Sequence, residues 1–166
     1  TRHQLDSFDL KNFIFAGDAT FTVVNEQTGN RFTFRIRKAG WGTLNVKSDI
    51  FYVSVLTGSD NESCYTFLGT FFGGKNQMYR HSPKSKISSS TMSNRVIEWF
   101  FQHYLNNPSL YVTVKNYHSG KCGRCGRKLT VPQSIETGFG PECFSFIADK
   151  QMIRDRKLTQ ILKGLE

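Results

Sequence analysis

Arg31-Phe-Thr-Phe-Arg-Ile-Arg37 alternates without a break. Phe32, Phe34 and Ile36 fall on one side of an extended chain. Arg31, Thr33, Arg35 and Arg37 fall on the other, with Lys38 next in line. Strand side chains alternate between faces at a period of two, so this heptapeptide reads as a strand with one apolar and one basic side. Such a strand suits an antiparallel sheet with one face covered and one open to water. Successive positions on the basic side recur about 6.5–7 Å apart, close to the phosphate repeat of a single nucleic-acid strand. A half-buried sheet needs polar residues on its open face in any case, so both readings stand.

Working outward from there, Asn25-Glu-Gln-Thr-Gly-Asn30 reads as a hairpin turn between this strand and Phe21-Thr-Val-Val24. Phe13-Ile-Phe15 is expected to be extended as well, and residues 1–12 a short helix or a loose arm. Downstream, Ala39-Gly-Trp-Gly-Thr43 is a turn. Strands are expected at 51–56 and 64–72, separated by the polar turn 57–63. Cys64, alone at the start of its strand, is expected to be a packed small residue.

Residues 73–90 are polar and rich in serine, and carry Lys75, Arg80, Lys84 and Lys86 without one acid. They read as a surface loop, or one that meets a polyanion, with Tyr79 and His81 available for stacking. A helix then follows from an N-cap at Ser93. Val96, Phe100 and Tyr104 recur four apart, as do Ile97, Phe101 and Leu105, and Asn106-Asn107-Pro108 stops the run. That stripe is expected to pack on the sheet, and His103 to be structural. Residues 110–117 form a last strand.

The chemistry concentrates where that strand ends. Cys122-Gly-Arg-Cys-Gly126 is a C-x-x-C-G knuckle, and two thiolates at that spacing can share one tetrahedral Zn²⁺ at about 2.3 Å. Cys143 follows Gly138-Phe-Gly-Pro141. Pro141 fits the first position of a helix, so Cys143 falls in a first turn, where the dipole favours a thiolate. His118 is the best placed fourth ligand, giving H-x3-C-x2-C-x17-C and one structural Zn²⁺ on His118, Cys122, Cys125 and Cys143. Cys64, His103, Glu142 and a water are the other candidates. A redox C-x-x-C would begin a helix, whereas Gly126 and a turn follow here. Residues beyond Cys143 carry a broken apolar stripe and a basic side, and are expected to continue as a C-terminal helix.

The 22 Lys and Arg against 13 Asp and Glu leave a net charge of +9. That balance favours a polyanionic partner, nucleic acid first. The residues expected to meet phosphate are Arg31, Arg35, Arg37, Lys38, Lys84, Lys86, Arg124, Arg127 and Lys128. No membrane-spanning run and no signal-peptide pattern is visible, so a cytoplasmic protein with reduced thiols is expected. No phosphate-binding glycine loop, H-E-x-x-H or deaminase signature occurs, and no enzyme is expected.

The segment C-G-R-C-G-R-x-L-T-x-P-x-S-I-x-x-G-x-G-P-x-C, from Cys122 to Cys143, resembles a family of small zinc-ribbon-like domains of unknown function. Such domains occur in phages, plasmids and actinobacterial proteins. The resemblance covers residues 118–147, and the pieces Thr28-Gly-Asn-Arg-Phe-Thr-Phe-Arg35 and Tyr65-Thr-Phe-Leu-Gly-Thr70 are similar to phage and plasmid proteins that carry this domain. It implies a mobile-element origin and brings no activity. A protein that binds and redirects a host enzyme or defence system is therefore the alternative to a nucleic-acid binder.

The expected architecture is α+β: a twisted antiparallel sheet with one packed helix, then a small zinc knuckle and a C-terminal helix. Its expected division is 1–112, β-rich with a helix near 94–106, and 113–166, the knuckle and last helix.

Overall fold

The computed structural model describes residues 2–47, 49–147 and 163–164. The architecture is α+β, built on one seven-stranded antiparallel sheet. In chain order the strands are β1 (Gln4–Leu5), β2 (Asp18–Asn25), β3 (Arg31–Lys38), β4 (Ile50–Leu56), β5 (Tyr65–Phe72), β6 (Met78–His81) and β7 (Val114–His118). In space they run β1-β7-β2-β3-β4-β5-β6. The expected division at 112/113 falls just before β7, which lies inside the sheet between β1 and β2. The knuckle therefore grows directly out of an interior strand.

The alternation read in residues 31–37 sets the layers. Phe34 and Ile36 are fully buried, and Arg31 and Arg37 are exposed. In register, Phe21 faces Phe34 and Phe34 faces Val55, which carries the apolar side across three strands. At β5 the register slips by one residue between Val53 and Ser54. This bulge is what lets Phe67 and Thr70 share the open side while Leu68 and Phe71 go inward.

Helix α2 (Met92–Trp99) continues as a π-helical turn over Phe100–Tyr104 and closes the apolar side. Ile97, Phe100, Phe101, Tyr104 and Leu105 are buried, as the four-residue spacing predicts. The helix starts at Met92 with Thr91 at its cap, two residues before the expected Ser93. Phe101 stacks on Phe71 with ring centroids 4.5 Å apart, and Phe100 meets Phe21 at 5.5 Å.

Three local expectations are corrected. Leu10–Ile14 is a short helix, α1, where Phe13-Ile-Phe15 was expected to be extended. Leu10, Phe13 and Ile14 are spaced i, i+3, i+4, and all three are buried. Gln4–Leu5 is neither arm nor helix but an edge strand on β7. The serine-rich stretch 73–90 contains β6, whose Tyr79 turns inward to stack on Phe101 and donate to Asn94 Oδ1 at 2.8 Å. His81 is tied to the Ile87 carbonyl at 2.8 Å. Neither ring is offered for base stacking. Residues 141–147 are helical, as expected after Pro141. The expected continuation at 148–162 and 165–166 lies outside the described residues. No helix among the described residues is long and apolar enough to cross a membrane.

Candidate metal centre and the basic face beside it

The knuckle is a tight hairpin. Lys121 bridges to Lys128, the Cys122 amide donates to the Arg127 carbonyl at 2.8 Å, and the Gly126 amide donates to the Cys122 carbonyl at 2.9 Å. Gly126 takes φ of 76°, a left-handed conformation that L side chains rarely adopt. Gly123 is needed for a different reason: a Cβ there would come within 2.6 Å of the Phe13 ring. Phe13 thus wedges the knuckle against α1, while helix α3 (Pro132–Thr137) and the turn at Gly138 return the chain so that Cys143 reaches the same spot.

The sulfurs of Cys122, Cys125 and Cys143 lie within 4.8 Å of one another. No disulfide joins them. Cys122 and Cys143 are buried and Cys125 is exposed. Burial would raise the Cys122 thiol, but N–H groups of Cys125, Gly140 and Arg124 outweigh it and hold that thiol below its ordinary value. Burial pushes the Cys143 thiol up to about 11, opposed by Arg124 and reinforced by the charge of Cys122. Arg124 donates from its guanidinium to Cys143 Sγ at 3.4 Å. A cation among three sulfurs would deprotonate all of them. The three cysteines also bound a cavity of about 540 Å³ that Arg124, Arg127 and Lys128 line.

His118 does not join them, which corrects the expected fourth ligand. Its position on β7 pairs with Phe21, and its ring lies in the apolar layer, 6.0 Å from the Phe13 ring. It is 2% exposed and stacks on His3 at 4.7 Å. Nδ1 accepts from the Gly120 amide at 3.0 Å and Nε2 donates to the Ile135 carbonyl at 2.5 Å, so both nitrogens are taken. The chain has four cysteines and four histidines, all of them described. Among the described Cys and His side chains, only these three sulfurs gather.

The expected phosphate-binding residues divide into three groups. Arg35 and Arg37 sit on the open side of β3. Arg35 sits over the Tyr65 ring, 3.8 Å from its centroid, and donates to the Glu62 carbonyl at 2.9 Å, while Arg37 pairs with Asp18 at 3.0 Å. Arg31 is exposed on the same side. A second group surrounds the knuckle. Trp41 lies between Lys38, 5.3 Å from its ring, and Arg124, 5.2 Å from it, and donates from Nε1 to the Arg124 carbonyl at 2.7 Å. Arg127 and Lys128 are exposed there. Lys84 and Lys86 stand apart, exposed in the loop after β6, with four strands between β6 and β7.

The two groups beside the knuckle share partners. Asp18 holds Arg37, and its carboxylate would meet a Cβ at Gly126 at 2.6 Å. Glu62 takes Lys121 on its carboxylate at 2.7 Å and Arg35 on its carbonyl. Asp18, Trp41 and Glu62 were not singled out from the sequence as site residues. Nor were Tyr52, Tyr65 and Phe67, although the parity of 52 against the apolar 51, 53 and 55 marks Tyr52 as facing the polar side.

Residues 114–145 match the sequence model of a family described as "Family of unknown function (DUF6011)". The match spans β7, the knuckle and Cys143. No curated protein and no solved structure matches the chain.

Proposed function

We propose that the chain is a zinc-stabilised, non-enzymatic nucleic-acid-binding protein of phage or other mobile-element origin, which grips phosphates through basic residues of β3 and the knuckle. The observation that carries this reading is the continuity of its two basic groups. Asp18, Trp41 and Glu62 each touch both the β3 region and the knuckle, so Arg35, Arg37, Lys38, Lys121 and Arg124 belong to one surface. Of the carboxylates there, Asp18 is paired with Arg37 and Glu62 with Lys121, which leaves the surface net positive.

Three clustered thiols suit Zn²⁺ better than a hard cation, because soft sulfur ligands select zinc and copper over magnesium or calcium. In this role zinc fixes the hairpin and Cys143 together and so sets where Arg124, Arg127 and Lys128 stand. Metal analysis of the purified chain is expected to return about one zinc per chain, lost in Cys122→Ser and kept in His118→Gln. Iron in place of zinc would replace the assignment, and an H118Q variant without metal would restore His118 as a ligand.

Binding itself is tested by anisotropy titration across salt. Affinity is expected to fall steeply with salt concentration, and replacing one phosphate-contacting arginine is expected to shallow the log–log slope by about 0.7–0.9. No binding at low salt would sink the reading, and a nuclease-resistant complex with one host protein would favour the alternative.

A further inference from the structure

The geometry points to the open face of the sheet as a platform for single-stranded nucleic acid, with bases stacked on Tyr52 and Phe67 and the backbone held by Arg35 and Arg37. This rests on the nucleic-acid reading above and names the form of ligand that the same surface would take.

The face is defined by register. Thr22, Thr33, Arg35, Arg37, Tyr52, Ser54 and Phe67 are joined across β2–β5 by the pairings Thr22 with Thr33, Arg35 with Ser54, and Ser54 with Phe67. The same parity puts Lys115 and Tyr117 of β7 on it at one end and Arg80 of β6 at the other. Within its strands Asp18 is the one acid, and it is already paired. Among the described residues, the helices that cover the sheet pack on the other side. The loop between β4 and β5 curls over part of the open side at Glu62 and Ser63. It leaves a cavity of about 340 Å³ whose walls include Arg35, Arg37, Tyr52, Tyr65 and Phe67. That is within the roughly 300–1,000 Å³ of small-ligand clefts.

Aromatic rings on a sheet are ordinarily hidden, and here many are. Tyr52 is 48% exposed and meets Phe67 edge-on at 6.2 Å. Among the described residues, Phe67 is the one ring in contact with Tyr52. Beside it, Arg35 sits over the Tyr65 ring at 3.8 Å and donates to the Glu62 carbonyl, two contacts that hold the guanidinium in place. Thr22 and Thr33 bond to one another at 2.7 Å and form a low floor between the basic residues and β7. A groove of cations beside one exposed ring, Tyr52, and one half-buried ring, Phe67, is what an unpaired strand requires: phosphates find charge and unstacked bases find a π-face. A duplex offers no unstacked base, and its phosphates lie on a convex surface, so it would use the cations alone.

Anisotropy of the full metal-loaded chain tests this with labelled oligonucleotides of about 12 nucleotides, DNA and RNA, each single-stranded and as a duplex. The single strand is expected to bind at least about tenfold tighter than the duplex. Tyr52→Ala and Phe67→Ala are each expected to weaken it roughly tenfold with the salt slope unchanged, and Tyr52→Phe to restore it. Duplex binding as tight as single-strand binding, or Tyr52→Ala binding like the parent, overturns the platform and leaves the phosphate-gripping reading intact. Absence of binding to either form at low salt overturns both.

Discussion

The two faces of the sheet use the same residue types for opposite ends. On the covered face, rings pack against rings: Phe21, Phe34, Phe71, Phe100 and Phe101 are buried, and each lies within 6.3 Å of another. On the open face, Tyr52, Tyr65 and Phe67 stand among arginines and threonines, and among the described residues only Tyr65 has a cation over its ring, Arg35. A buried ring contributes the free energy of its transfer from water and the dispersion contacts of close packing. An exposed ring beside a fixed cation keeps its face available. On the proposed reading, stability and recognition belong to different sides of one strand, β3, and substitutions should separate them.

The largest effect belongs on the covered side. Phe100 is fully buried between Phe21, Phe101 and Tyr104, so Phe100→Ala should cost about 3–5 kcal/mol in urea unfolding. Tyr52→Ala, across the sheet, should cost no more than about 1 kcal/mol, since it removes one edge-on contact and little burial. Equal losses from the two variants would break the division between the faces.

That division was legible in residues 31–37, because period-two alternation reports a half-buried strand directly. The stripe on α2 was legible for the same reason at a period near four. The three cysteines were legible because C-x-x-C and a helix-opening Cys each carry a local geometry. His118 was not: spacing places it near the knuckle, but its ring nitrogens are taken by the Gly120 amide and the Ile135 carbonyl. The Ile135 carbonyl lies 17 residues further on, and a partner at that distance cannot be read from the strand alone. The shared partners Asp18, Trp41 and Glu62 were hidden likewise, since 83 residues separate Trp41 from Arg124 and 59 separate Glu62 from Lys121. The helix at Leu10–Ile14 was missed because a five-residue run is too short for either period to declare itself.

His118 gives the covered side a pH dependence. Burial lowers its pKa, the Ile135 carbonyl opposes that, and His3 adds to it, so the folded chain prefers the neutral ring. The unfolded chain takes up a proton near pH 6.5. Stability is therefore whole above about pH 6.5 and is lost as the pH falls from there through the lower folded value. With metal removed by a chelator, to keep ligand protonation out of the reading, urea midpoints should drop between neutral pH and pH 5.5. The drop should be smaller in His118→Asn. An identical drop in that variant would assign the effect elsewhere.

The smallest effect lies on the open side, at Arg37 and Asp18. Their ion pair is 3.0 Å long, but the arginine side chain is 55% exposed, so water and salt screen it. A double-mutant cycle with Arg37→Ala and Asp18→Ala should return a coupling of about 0.2–1 kcal/mol that shrinks with added salt. Asp18→Ala is the more informative single variant. It takes a negative charge from beside Gly126 and releases Arg37 from its partner, so nucleic-acid affinity should rise, modestly, while stability falls slightly. The opposite sign, weaker binding in D18A, would mean that Asp18 serves the ligand by positioning Arg37. Pre-orientation of that guanidinium would then outweigh the repulsion of phosphate by the carboxylate.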